Sequence, residues 1–236
     1  ELATNPQSSG GYVWDQLTHS RYGAGADMDF LEQVPALAER VTPAPDFSYY
    51  DYKIRPNIYF HDIPPVNGRR LTAEDVKYCL DIYRTQGLSQ AALQIIDRIE
   101  LPDKDTVRVY VKRPVLWLNH LLSSNDFFIF AREHFEGDRD WWNNQPIGTG
   151  PFKVLSTRFR GDVETVRHEK FMWRDERWPD YQLPFLRSYR EIYFADSAAA
   201  LAAFRTRQTD FTSVSDRVQL EDILATNPDV VVQVYG

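Results

Sequence analysis

The stretch PIGTGPFKV, Pro146 to Val154, places two glycines and two prolines around a single threonine. A phosphate-binding loop needs successive backbone N–H groups directed at an anion, followed by a helix that opens with Lys and Ser or Thr. Here Pro151 removes one donor, and the β-branched and aromatic residues that follow are typical of a strand. The stretch is therefore predicted to be a turn that leads into a strand over residues 152–155, and not a phosphate site.

The composition indicates a folded protein that does not bind nucleic acid. Of the 236 residues, 43% are apolar and 14% aromatic, which is enough for the core of one large or two small domains. The 27 basic and 34 acidic residues give a net charge of −7 without a basic block. No apolar run reaches the ~18–20 residues of a membrane span, and no signal peptide is visible. Because the chain opens at Glu1 rather than at Met, we expect a fragment or a processed form.

Cysteine and histidine give no sign of a metal or catalytic site. Cys79, the single cysteine, excludes an internal disulfide and a cysteine-rich zinc site, and its place one helical turn before Tyr83 predicts a buried thiol. None of the five histidines stands at i, i+4 with another metal ligand. The pair His61–Asp62 at a strand end predicts a structural hydrogen bond. We expect no catalytic residue, no metal and no cofactor.

The six tryptophans exceed what a core of this size usually needs, so some are expected to line a cleft or an interface. Trp117, inside the apolar run LWL, is predicted to lie in the core. The carboxylate pairs Asp27/Asp29 and Asp138/Asp140 lie in polar stretches, and they give no specific support to a glycosidase.

Patterns along the chain predict a mixed α/β fold. The alternation of Tyr50, Tyr52 and Ile54 with polar residues is typical of a half-buried strand. Thr72, followed by Asp75 three residues later, is a variant of the capping box and predicts a helix start. Further strands are predicted over residues 107–111, 152–155, 163–166, 192–194, 209–214 and 229–235. Further helices are predicted over residues 12–22, 114–122, 196–208 and 215–225, the third capped by Asp196.

Five segments, in order, resemble one family, the bacterial extracellular solute-binding proteins of the oligopeptide, dipeptide and nickel type (family 5). The segments TAEDV and IGTGPF match the family's motifs almost literally. Two departures affect loops: the family's HDG turn is longer here, with Gly68 in place of its glycine, and Gln208 stands where the GeiD motif has glycine. The matching segments are YYDYKIRPNIYFHD, LTAEDVKYCLDIY, DKDTVRVYVKRPVLWL, PIGTGPFKV and LPFLRSYREIYFADSAAALAAFRTRQTDF.

The resemblance implies a mixed α/β lobe of the periplasmic-binding-protein type (type II) with an inserted α+β subdomain. Residues 1–30 plus 146–236 would form the discontinuous main subdomain, and residues 31–145 the insert. The segment PIGTGPF would return the chain from the insert to the main subdomain, with φ freedom supplied by its glycines. Family members close two lobes on a ligand, and the second lobe is expected to be absent from this chain.

The function that the resemblance implies is that of the substrate-binding component of an ABC importer, which catalyses no reaction. Its partners would be a small solute or peptide and the membrane subunits of the permease. Its location would be periplasmic or extracellular, with a lipoprotein anchor upstream of this sequence. Peptide is the family's default ligand, but members also bind nickel chelates, oligosaccharides and opines. The aromatic content favours an organic ligand over a bare metal ion.

The glycine- and serine-rich segment QSSGGYVW matches the family's loop that faces the ligand cleft. Glycines let a backbone approach a ligand closely, and hydroxyl and N–H groups at a helix start can bind its polar ends. Two alternatives remain open at this point: a secreted carbohydrate hydrolase, and the ligand-sensing domain of a regulator with the same fold. The candidate ligand-binding residues are Ser8, Ser9, Gly10, Gly11, Tyr12 and Trp14.

Overall fold

The structure, a computed structural model, describes residues 10–20, 32–86, 89–137, 145–157, 161–175 and 177–232. The chain divides into two compact units, Glu1–Glu191 and Ile192–Gly236. Within the described ranges, no helix is both long and apolar enough to cross a membrane.

The first unit begins with a short helix, α1 (Gly10–Val13), and a two-stranded ribbon of β1 (Thr18–Ser20) and β2 (Gln33–Pro35). The prediction of a helix over residues 12–22 is therefore wrong for residues 14–20. Residues 18–20 pair with an antiparallel partner instead, because cross-strand hydrogen bonds override a weak helical propensity.

A four-stranded antiparallel sheet forms the centre of the first unit. It contains β3 (Ala38–Pro43), β4 (Tyr49–Ile54), β5 (Ile96–Asp103) and β6 (Thr106–Val111), in the order β3-β4-β6-β5. The strands predicted from residue alternation are confirmed, since every second side chain of β4 and β6 is buried. The buried members are Tyr50, Tyr52, Ile54, Val107, Val109 and Val111.

Helix α2 (Ala73–Thr85) packs on β5 and β6. Its predicted capping box is confirmed: the backbone N–H of Thr72 donates to Oδ2 of Asp75 at 2.9 Å, and that of Asp75 donates to the Thr72 hydroxyl at 3.4 Å. Cys79 is fully buried, as predicted, and the backbone N–H of Phe130 donates to its Sγ. Burial raises the pKa of this thiol far above its usual range, so it stays protonated.

Short helical pieces complete this region: a 3₁₀ turn (Ala92–Ile95), α3 (Leu118–Leu122) and α4 (Arg132–Glu136). The prediction that Trp117 lies in the core is wrong, because its side chain is 47% exposed. Helix α3 begins at Leu118 rather than at Pro114 and buries Leu118 and Leu122. Trp117 precedes the first helical residue and therefore lies outside the buried stripe of this helix.

A second antiparallel sheet follows the PIGTGPF segment, with β7 (Phe152–Thr157), β8 (Val163–Arg167) and β9 (Arg190–Glu191) in sequence order. The first two strands confirm the predictions. The third, predicted over residues 192–194, lies at residues 190–191 instead, where Glu191 pairs with Val163.

The second unit contains α5 (Ser197–Arg205) and α6 (Arg217–Thr226). Asp196 caps α5, as predicted, by accepting the Ala199 N–H at 2.8 Å. The strands predicted over residues 209–214 and 229–235 are wrong in their described parts, since residues 209–214 and 229–232 form no strand. A β-branched run becomes a strand only when a neighbouring strand satisfies its backbone groups.

Candidate functional site

Two long-range hydrogen bonds join helix α1 and the residue that follows it, Trp14, to the segment Ile147–Gly150. The indole N–H of Trp14 donates to the carbonyl of Ile147 at 2.9 Å, and the N–H of Gly150 donates to the carbonyl of Val13 at 2.8 Å. Trp14 is only 4% exposed and packs against Phe128. Residues more than 130 positions apart are thus fixed to one another, and the position of α1 depends on the segment Ile147–Gly150, which we call the corner.

The glycines of the corner are required by close approach and not by backbone conformation. A Cβ at Gly148 would lie 2.6 Å from Cδ1 of Trp14, and a Cβ at Gly150 would lie 2.6 Å from the carbonyl oxygen of Tyr12. Neither glycine has a positive φ, so the expectation that they supply φ freedom is wrong. Gly68 does have φ +69°, and its N–H donates to the carbonyl of His61, which closes the loop that lengthens the family's HDG turn.

Three buried histidines surround the corner. The Nε2 of His61 contacts the Gly150 carbonyl at 3.0 Å, and the Nδ1 of His168 contacts the same oxygen at 3.2 Å. The N–H of Ile147 donates to Nδ1 of His134 at 3.1 Å. These histidines bind backbone atoms of the corner, and through it they hold α1 in place.

The same burial keeps all three imidazoles neutral. It lowers the pKa of His61 to about 3, with a further contribution from His168, and lowers that of His134 to about 4. It also lowers the pKa of His168. The predicted hydrogen bond between the side chains of His61 and Asp62 is wrong, because Asp62 pairs with Nζ of Lys153 at 2.7 Å while His61 binds the corner.

A hydroxyl, a carboxylate and an imidazole also meet at the corner. The Thr149 hydroxyl donates to one oxygen of Asp15 at 3.2 Å, and Nε2 of His19 lies 3.7 Å from the other oxygen. A hydroxyl nucleophile needs its general base within hydrogen-bonding distance. Here the carboxylate lies between hydroxyl and imidazole, so the arrangement ties Thr149 to the residues after α1 rather than activating it.

The exposed side of α1 carries Tyr12, whose side chain is 48% exposed. Its ring lies 5.2 Å from that of Tyr189 and 6.5 Å from that of Phe152, and the Phe152 and Tyr189 rings are 5.0 Å apart. We call these three rings the aromatic face. It joins α1, the first residue of β7 and the residue before β9. Tyr12 is its exposed member, whereas Phe152 is buried and the Tyr189 hydroxyl has no solvent access.

Of the candidate residues predicted from sequence, the structure places Tyr12 on the aromatic face, Trp14 against the corner, and the backbone of Gly10 and Gly11 in α1. Ser8 and Ser9 lie outside the described residues. Phe152 and Tyr189 were missed by sequence reasoning. Phe152 ends the PIGTGPF motif, and its place in that motif could have indicated it. Nothing in the sequence around Tyr189 connects it with Tyr12.

Nothing in the described ranges brings together three or more His, Cys, Asp or Glu side chains that could hold a metal ion. The polar groups of this region are instead bonded to the corner or lie beside the aromatic face.

Comparisons with known proteins agree with this architecture. The sequence matches the family described as bacterial extracellular solute-binding proteins, family 5 Middle, over residues 32–235. An ABC transporter peptide-binding protein of Brucella ovis is 29% identical over 218 residues, which is 88% of this chain and 38% of that protein. Di/tripeptide-binding protein 2 of Pseudomonas aeruginosa is 30% identical over 176 residues, covering 65% of this chain and 33% of that protein.

The fold is also that of the Helicobacter pylori periplasmic binding protein DppA, solved in complex with the peptide STSA. The TM-score is 0.79 at 21% identity, and the match covers 98% of this chain and 46% of that chain. The chain therefore spans less than half of the length of these relatives. The resemblance carried by the five sequence segments is confirmed: with a family match over most of its length and the corresponding fold, this chain belongs to the bacterial extracellular solute-binding proteins of family 5.

Proposed function

We propose that this chain is part of the substrate-binding component of an ABC importer. The component would capture a solute outside the cytoplasm and deliver it to the membrane subunits of a permease, without catalysing a reaction. The observation that carries the proposal is the family match over residues 32–235. We further propose a periplasmic or extracellular location with a lipoprotein anchor, which follows from the family and not from the described residues.

We propose a peptide as the ligand. Two relatives are named as peptide-binding and di/tripeptide-binding proteins, and the structurally similar DppA holds a peptide. The chain itself supports an organic ligand through Tyr12, which is half exposed although it packs on two other aromatic rings. A surface of this kind binds the apolar and amide groups of a peptide better than it binds a bare cation.

The ligand contacts that we propose come from the start of α1 and the segment before it. Tyr12 would contact the ligand through its exposed ring, while the backbone of Gly10 and Gly11 would allow close approach. Trp14 would act by positioning Tyr12, since its indole holds α1 against Ile147. Ser8 and Ser9, which lie outside the described residues, would supply hydroxyl groups to the ligand.

We also propose that residues 1–30 and 146–236 form one discontinuous subdomain, that residues 31–145 form an insert, and that a second lobe completes the protein. The bonds of Trp14 and Val13 to the corner support the first statement, since they join its two pieces. The sheet β3-β4-β6-β5 with α2 supports the second, because it lies wholly within residues 31–145. The boundary between the two compact units, after Glu191, falls within the proposed discontinuous subdomain.

Peptide titration of the full-length protein tests this function. We expect a pool of random tetrapeptides to bind, and Tyr12→Ala to weaken the binding about tenfold, because a buried aromatic contact contributes ~1–2 kcal/mol. Tyr181→Ala is the matched control, since Tyr181 is 62% exposed but packs on Phe185 rather than on the aromatic face. Equal loss in both variants would contradict the site. Cleavage of the peptides would contradict the function and favour a hydrolase.

A further inference from the structure

An open pocket lies between the 3₁₀ turn and the segment that follows β6, and it has a volume of about 540 Å³. Small-molecule sites range from about 300 to 1,000 Å³, so the pocket is large enough for one organic ligand. It shares no residue with the corner or with the aromatic face. Its lining includes Gln94, Ile95, Lys112, Arg113 and Trp117.

Hydrogen bonds and buried side chains fix both walls of the pocket. The backbone N–H of Lys112 donates to the carbonyl of Ile95 at 2.9 Å, which ties the end of the 3₁₀ turn to the residue after β6. In the segment after β6, the carbonyl of Val115 accepts a hydrogen bond from the Tyr50 hydroxyl, and Val115 and Leu118 are buried. The walls are thus in place before a ligand binds, so the entropic cost of ordering them is avoided.

Two exposed cations of the pocket are not neutralised by a carboxylate of the described residues. Within these ranges, neither Lys112 nor Arg113 forms an ion pair, and no Asp or Glu lines the pocket. By contrast, the guanidinium of Arg108, which lies in β6, binds both carboxylate oxygens of Asp51 at 2.7 Å. An anion that enters the pocket therefore meets two positive charges and displaces no carboxylate.

The indole of Trp117 supplies a flat apolar surface beside these cations. Its side chain is 47% exposed, and in the part of the chain that the structure describes it pairs with no other aromatic ring. By comparison, Trp14 is 4% exposed and packs against Phe128. Ile95 adds an aliphatic wall to the pocket. An exposed indole of this kind is available to stack on the ring of a ligand.

These features together fit an aromatic anion. A cation would be repelled by Lys112 and Arg113, and a small inorganic anion would leave the indole of Trp117 without a contact. A neutral ring would displace water from the two charged groups without replacing its hydrogen bonds. A ring that carries a carboxylate or a phosphate meets both conditions, because a guanidinium binds two oxygens of either group while the ring stacks on the indole.

We propose that this pocket is a second ligand site, which binds an aromatic ring that carries an oxyanion. Lys112 and Arg113 bind the oxyanion, and Trp117 stacks on the ring. The inference goes beyond the proposed function, since none of these residues is a proposed contact of the transported solute. Because the pocket is open, part of the ligand stays hydrated, and we expect a dissociation constant of about 0.1–1 mM.

Nuclear magnetic resonance of the full-length protein tests the site. The indole N–H signal of Trp117, identified by its loss in Trp117→Phe, is followed while phenylacetate or phenyl phosphate is added. Phenylacetamide, which has the ring without the charge, and acetate, which has the charge without the ring, are added in parallel. We expect the signal to shift saturably with at least one of the two aromatic anions. Both controls should bind at least about tenfold more weakly, which corresponds to ~1.4 kcal/mol.

Substitutions assign the binding to these side chains. Lys112→Gln and Arg113→Gln should each weaken the binding of the aromatic anion about threefold, and together they should reduce it to the affinity for phenylacetamide. Lys104→Gln is the matched control, because it removes one exposed cation at the opposite end of the β5–β6 hairpin and should leave the affinity unchanged. Trp117→Ala should weaken the binding as well, with the backbone amide signal of Lys112 as the readout. The replaced side chains are exposed, so the core stays intact.

The same titrations can overturn the inference. If the signals of Trp117 and Lys112 shift with neither aromatic anion, the pocket is not a ligand site of the complete protein. Phenylacetamide that binds as tightly as the anions would show that the cations take no part, and acetate that does so would show that the indole takes no part. Unchanged affinity in the double variant of Lys112 and Arg113 would place the anion elsewhere.

Discussion

The sheet β3-β4-β6-β5 with helix α2 and the residues 192–232 differ in how many of their side chains are buried and in whether their extended segments have a strand to pair with. In the sheet, nearly every inward side chain is buried, and each strand has a partner. In residues 192–232, the buried side chains are only Ala203, Ile223 and Asn227. Both regions contain capped helices and β-branched runs, yet only the first has strands. Helix formation is thus decided locally in both regions, whereas strand formation requires a neighbour.

The largest effect is expected at the corner, which fixes α1 to the first unit. In Gly150→Ala, the new Cβ would collide with the backbone of Tyr12 and Val13, so either α1 moves away or the corner is displaced. Loss of the Gly150–Val13 hydrogen bond together with the buried contacts of Trp14 should lower the free energy of unfolding by about 4 kcal/mol or more. Urea denaturation followed by tryptophan fluorescence measures this change.

Gly137→Ala provides the control, because its Cβ would come no closer than 3.1 Å to a carbonyl oxygen at the end of α4.

Hydrogen exchange then sharpens the comparison between the two regions. We expect Gly150→Ala to speed the exchange of amides in residues 32–191 more than in α5 and α6, which belong to the other compact unit. Uniform acceleration throughout the chain would show that the two units unfold together.

The second prediction concerns pH and the histidines that hold the corner. The pKa of His61 is about 3 and that of His134 about 4 in the folded protein, against about 6.5 in the unfolded chain. Between these values the unfolded state binds more protons, so their contribution to stability is complete above about pH 6.5 and is lost as the pH falls. At pH 5.5, each of these two histidines should therefore lower the free energy of unfolding by about 1.4 kcal/mol relative to pH 7.5, because it is protonated in the unfolded chain and neutral in the folded protein.

His134→Gln removes the contribution of His134, because a glutamine amide oxygen can accept the Ile147 N–H but does not titrate. We expect this variant to lose about 1.4 kcal/mol less than the wild type between pH 7.5 and pH 5.5. The exposed His120 serves as the control, and His120→Gln should retain the full pH dependence. An unchanged pH dependence in His134→Gln would show that His134 is not the titrating group.

Much of the fold could be predicted from the sequence, because its strongest signals are local. The capping residues Thr72 and Asp196 marked helix starts by chemistry that acts over three residues. The alternation in β4 and β6 marked strands that are buried on one side. The errors share a different cause: Trp117 and residues 209–214 were judged by local apolar pattern, but their state depends on where α3 begins and on the lack of a pairing strand.

The candidate site could be predicted only in part, since it is assembled from distant segments. Tyr12 was identified through the family's cleft loop, yet its neighbours Phe152 and Tyr189 are 140 and 177 residues away, as differences of their residue numbers. The sequence predicted that the corner requires its glycines, but it attributed the requirement to φ freedom and not to close packing. Close approach to Tyr12, Val13 and Trp14 requires a tertiary contact that no local pattern records.

The smallest effect, and the sharpest test of the comparison, is the loss of one helix cap in each region. Thr72→Ala removes the acceptor for the Asp75 N–H and should lower the free energy of unfolding of the sheet region by ~1 kcal/mol, because α2 is packed on the sheet. Asp196→Ala removes the acceptor for the Ala199 N–H, but α5 buries little. The amides of α5 should therefore exchange about fivefold faster or more in Asp196→Ala, without a shift of the urea midpoint.

Thr72→Ser and Asp196→Asn retain a capping oxygen and should behave as the wild type. If Asp196→Ala shifts the urea midpoint as much as Thr72→Ala does, α5 unfolds with the rest of the protein, and the difference between the two regions is one of sequence pattern and not of stability.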